Sequence, residues 1–129
     1  YTYFYNTVGA LGLKGSSSGF MQLTAEDRVV FLKALYEYFD TESEYANLMR
    51  DNMVISAHTV IIPCCYQTGT VAHKYGWDID AYHDMAIVFD EHPYVLVIMS
   101  DLDTGGEVVN SYLRRLVDLT KRIHASAYQ

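Results

Sequence analysis

Three apolar runs in one short window, Val71 to Trp77, Met85 to Phe89 and Tyr94 to Met99, constrain this chain more than any other feature. Each is strand-sized, and the charged turn Asp90-Glu91-His92-Pro93 is all that separates the second from the third. Runs of this length and spacing pair in sequence as an antiparallel meander. Strands are therefore expected over residues 71 to 76, 84 to 89 and 94 to 100. Lys74 falls on the first of them, next to Tyr75 and Gly76. A lysine on an apolar strand costs desolvation unless its ammonium is paired, faces solvent or lines a cleft, and a glycine beside it lets another group approach the backbone closely. The stretch reads either as a solvent-facing edge or as the wall of a site.

Helical spacing frames these strands. Thr24 and Asp27 form a near capping box, and Val29, Leu32, Leu35, Tyr36 and Phe39 recur on one face of a helix over residues 24 to 39. Ser43 can cap a second helix running to about Met53, with Tyr45, Leu48 and Met49 turned inward. Residues 54 to 66 are apolar, but Pro63 forbids a continuous helix into the first strand. From Glu107 to about Ala125 a third helix carries Val109, Tyr112, Leu113, Leu116, Leu119 and Ile123 as one stripe, with Arg114, Arg115, Lys121 and Arg122 favouring its C-terminal half. The sum is an α+β fold, an antiparallel sheet flanked by helices.

Composition excludes several classes of function. With 129 residues, 50% hydrophobic and 19% charged, the chain can bury a core as one domain. A net charge of −7 disfavours nucleic acid and anionic membrane surfaces as partners. No apolar run approaches the length of a membrane span. Cys64 and Cys65 are adjacent, where a disulfide forms only with strain, so two free thiols are expected. The chain begins at Tyr1 without the features of a signal peptide, which reads as an internal start and leaves the compartment unspecified. The aromatic stretch Tyr1 to Tyr5 calls for something to cover it, and Ser16-Ser17-Ser18 between glycines reads as a surface loop.

The order His73-Lys74-Tyr75-Gly76-Trp77, then Tyr82-His83-Asp84-Met85-Ala86-Ile87-Val88, then Pro93 to Met99 and a terminal amphipathic helix, preceded by Ile62-Pro63, resembles the C-terminal part of the serine β-lactamase and penicillin-binding-protein superfamily. Lys74 and Gly76 match the outer positions of that family's Lys-Thr/Ser-Gly motif. The resemblance covers the chain from about Leu23 onward, and implies a single partial domain over residues 1–129, the C-terminal portion of an αβα sandwich with early and late helices on opposite faces. It also implies an exported or cell-envelope protein that acts on β-lactams or related cell-wall peptides through an acyl-enzyme, with no cofactor. Lys74 would then meet the substrate carboxylate, and the Trp77 backbone N–H would supply half of the oxyanion hole.

Three departures limit this. Tyr75 stands where the family has a small hydroxyl residue, and if Asn6 is the family's loop asparagine, Thr2 replaces the glutamate four positions before it. More decisively, the eight serines are followed three positions later by Gly, Phe, Met, Ala, Thr, Asp, Arg and Gln, never by the lysine of a Ser-x-x-Lys nucleophile. The expected partners are thus a carboxylate-bearing small molecule or peptide, together with a missing N-terminal segment or a second copy of the chain. The competing class is a non-catalytic homologue or interaction module. His73 and His83 with Asp84 suggest a metal site or general base against ordinary core and edge histidines, and Asp101, Asp103 and Glu107 a cation loop against a solvated turn.

Overall fold

In the computed structural model, residues 9–13, 23–103 and 106–129 are described. Helix α1, Ala25–Phe39, starts where the capping box expects. The Asp27 N–H donates to Thr24 Oγ1 at 3.1 Å, and the Thr24 N–H donates back to Asp27 Oδ2 at 3.0 Å. Helix α2, Glu44–Val54, is capped by Ser43, whose hydroxyl accepts from the Ala46 N–H. Three strands follow, β1 Val71–Asp78, β2 Ala81–Val88 and β3 Tyr94–Ile98, antiparallel in the order β1-β2-β3, and helix α3, Glu107–Ser126, closes the chain.

Alternation along the strands divides the sheet into two faces. Val71, Ala86, Val88, Leu96 and Ile98 face one way and pack with Ile61 and Ile62 and with Leu113 and Val117 of α3. Ala72, Ile87, Val95 and Val97 face the other way, against Leu32, Leu35 and Phe39 of α1 and Ala46 of α2. Early and late helices therefore cover opposite faces, and each fully buried Leu, Ile or Val contributes roughly 1.5–3 kcal/mol.

Three local expectations differ from the structure. Strand β1 runs two residues past Gly76 and β2 begins at Ala81, because the two-residue loop Ile79-Asp80 joins them as a tight hairpin. Beyond His73 strand β1 leaves the core, so its end carries no apolar alternation to read. In α2 the inward residues are Ala46 and Met53, while Tyr45, Leu48 and Met49 are exposed: small Ala46 lets the helix sit close to its neighbours, and periodicity alone does not choose between two apolar stripes. Along α3 the stripe splits. Leu113 is buried and Val109 half-buried against the core, whereas Tyr112, Leu116, Leu119 and Ile123 remain exposed, and Val117, outside the expected stripe, is buried instead.

Candidate functional site

The hydrogen-bond phase of the sheet decides which backbone groups are free. The Phe89 N–H donates to the Thr70 carbonyl at 2.8 Å, so even-numbered residues of β1 exchange their bonds with β2. By alternation, the N–H and C=O groups of Tyr75 and Trp77 point away from β2, to the outer edge of the sheet. The Lys74 side chain curls round that edge: its ammonium donates to the Tyr75 carbonyl and lies 4.5 Å from the centre of the Tyr75 ring. Gly76 has open space where a side chain would start.

A cleft of about 120 Å³ lies beside this edge, lined by Arg28, Lys74, Tyr75, Gly76, His83, Asp84 and Met85. Its two cations come from different elements, Arg28 on α1 and Lys74 on β1, with the His83 imidazole of β2 beside them. Burial weakens the hold of the Arg28 guanidinium on its proton, and burial, then the neighbouring Arg28 charge, lowers the pKa of His83. His83 Nδ1 accepts from the Ser100 N–H at 3.2 Å. A depressed histidine pKa makes the unfolded chain the better proton acceptor, so the stability held above the ordinary histidine pKa is lost as pH falls through it. Denaturant melts at pH 7.5 and 5.5 should show that loss, and His83→Gln should reduce it.

On the opposite face, three rings gather over the end of β1. The His58 ring lies 4.5 Å from Tyr75 and 4.7 Å from Trp77, centre to centre. His58 holds a left-handed backbone, φ +63°, which costs a non-glycine residue roughly 1–2 kcal/mol and persists only where neighbours fix it. Tyr82 fixes the ring. Its hydroxyl donates to Asn110 Oδ1 at 2.9 Å, so its oxygen accepts from His58 Nε2–H, also at 2.9 Å. Burial, then the charge of Asp84, raises the Tyr82 pKa and keeps that phenol a donor.

Below the rings lies a buried brace. His73 Nδ1–H donates to Asp84 Oδ1 at 3.0 Å, and the Ile62 N–H donates to Asp84 Oδ2 at 3.1 Å, with both side chains shut off from solvent. This ties β1, β2 and the segment that carries His58.

Of the residues singled out in the sequence, Lys74, Tyr75, Gly76 and Trp77 share the open edge. His73 and His83 do not meet: their partners across the hairpin are Ala86 and Gly76, on opposite faces of the sheet. Among the described residues, no three metal-ligating side chains converge, including around Asp101, Asp103 and Glu107. Thr2, Asn6 and Ser16 to Ser18 lie outside the described residues. Arg28 and His58 were missed, although a cation in the first turn of α1, against the helix dipole, was a sign for Arg28.

Comparison with known proteins places these features in context. Residues 6–127 match the sequence profile of a beta-lactamase enzyme family. A solved structure of PBP-A, a mutant in acyl-enzyme complex with penicillin G, superposes with a TM-score of 0.69 at 15% identity, over 94% of this chain and 52% of that one. The chain thus spans about half the length of the structure it matches. No curated protein sequence matches it.

Proposed function

The chain belongs to the beta-lactamase enzyme family, and on that premise we propose that these residues are the C-terminal portion of a β-lactamase- or penicillin-binding-protein-like serine hydrolase domain. The substrate is a β-lactam or a related cell-wall peptide carrying a carboxylate, and the protein works at the cell envelope or outside it. The observation that carries this reading is the outer edge of β1, where Lys74, the outward-pointing Trp77 N–H and the cleft lined by Arg28 and His83 lie together.

Each group has a role in acyl transfer. Lys74 binds and orients the carboxylate through a charge-assisted hydrogen bond, for which it leaves the Tyr75 carbonyl and ring. The Trp77 N–H donates to the acyl oxygen as negative charge develops on it. Gly76 leaves room for the acyl group against the strand. Tyr75, packed against His58, sets a phenol where the family has a small hydroxyl, which narrows the site and disfavours ordinary β-lactams. The nucleophile, a Ser-x-x-Lys serine, lies outside these residues.

Labelling tests this. The protein containing that motif should take up a fluorescent penicillin or a fluorophosphonate on the Ser-x-x-Lys serine, and residues 1 to 129 alone should take up neither. A full-length protein without the motif would make the chain an interaction module instead.

The remainder of the domain also accounts for an uncovered surface. Segment 56 to 62 occupies the β1 side of its face, where His73 Nε2 lies 3.5 Å from the Ser56 carbonyl. Arg114 of α3 reaches toward it, donating to the Val60 carbonyl at 3.3 Å. The flank of α3 turned the other way, with Tyr112, Leu116, Leu119 and Ile123, therefore lies on the side of β3, whose outer edge has no strand beside it among the described residues. Sedimentation of isolated residues 1 to 129 should show self-association through this flank, relieved by Leu116→Lys/Ile123→Lys. A stable monomer would count against it.

A further inference from the structure

The adjacent thiols of Cys64 and Cys65 take no part in the site above, yet they are arranged as a pair. They lie in the short 3-10 turn Pro63–Cys65, pinned by the Cys64 N–H to the Thr59 carbonyl at 3.1 Å and the Cys65 N–H to the Ile62 carbonyl at 3.0 Å. Both side chains turn to the same atom: Cys64 Sγ lies 3.2 Å and Cys65 Sγ 3.4 Å from the Ile61 carbonyl oxygen. Adjacent residues in a strand would send their sulfurs to opposite sides, whereas this turn sends them to one. Cys64 is exposed and Cys65 half-buried, so the pair is open from the Cys64 side.

Two cations of α3 attend them. Arg114 interacts with the Cys64 thiol, and Lys121 donates to the Cys65 carbonyl. We propose that Cys64 and Cys65 form a chelating dithiol site for a soft, thiophilic centre, with trivalent arsenic as the representative ligand. The reaction with an organoarsenic oxide balances without redox change: two As–S bonds replace the As–O bond, and both thiol protons leave with that oxygen as water. The Cys65 thiol is pushed up to about 12, first by burial and then by Cys64, since two thiolates so close repel. The inference does not depend on the acyl-transfer reading, because neither sulfur lies at the β1 edge.

Phenylarsine oxide is the direct probe. The chain has only these two cysteines, so one bound phenylarsenic group should consume both titratable thiols. The adduct should survive excess 2-mercaptoethanol and yield to a dithiol. Cys64→Ser and Cys65→Ser, each checked for folding by circular dichroism, should each weaken retention on the order of 100-fold, as expected when a second attachment is lost. Release of the wild-type adduct by the monothiol as readily as from either single variant would overturn the proposal.

Discussion

Asp84→Ala should lower the stability of the protein by about 3–5 kcal/mol, a large share of what a domain of this size possesses. The carboxylate is wholly buried and both of its oxygens are used, one by His73 and one by the Ile62 N–H. Alanine leaves two buried donors without an acceptor, and each costs roughly 1–3 kcal/mol. Asp84→Asn should be milder. Its amide oxygen can still accept from Ile62, and its NH₂ can donate to His73 Nδ1 once the proton has moved to Nε2. The midpoint of urea denaturation, at unchanged slope, reads both effects. A loss under about 1 kcal/mol for alanine would show that the brace does not hold β1, β2 and segment 56 to 62 together.

That brace marks where sequence reasoning stopped. The meander was legible because β2 and β3 bury unbroken apolar runs, and α1 because its cap and its stripe agree. The hairpin tip was not, since Lys74 to Asp78 lie largely outside the core and strand pairing there follows from the turn. The residues of α3 read as one stripe, yet of them only Leu113 is buried and Val109 half-buried against the core, while Val117, outside that stripe, is fully buried: a helical period reports that residues share a side, not that anything covers it.

The site divides the same way. Lys74 to Trp77 stood out because a charge and a glycine interrupt an apolar run. Their shared edge, however, follows from hydrogen-bond phase, which no residue type encodes. Arg28 and His58 come to Gly76 and Tyr75 from elements 48 and 17 positions away, through packing of α1 on one face and a left-handed turn on the other. Asp84 looked like a partner for two histidines and serves one, because alternation sends His83 to the other face.

Lys74→Ala carries the largest expected effect on chemistry. In a serine hydrolase built on these residues, the ammonium is the partner of the substrate carboxylate, and losing a charge-assisted contact of that kind costs on the order of 1.5–3 kcal/mol, roughly 10- to 100-fold in acylation rate. Lys74 is exposed and packs no core, so the variant should fold as the wild type does. Tyr75→Thr in the same assay should raise acylation by penicillin with little change toward a fluorophosphonate, which lacks the carboxylate and the ring system. The most direct measurement is therefore the second-order rate of fluorescent-penicillin labelling of the protein carrying the Ser-x-x-Lys serine, with and without Lys74→Ala. A fall of roughly 10- to 100-fold is the expected result, and an unchanged rate in a folded variant would contradict the assignment of the β1 edge as the wall of the site.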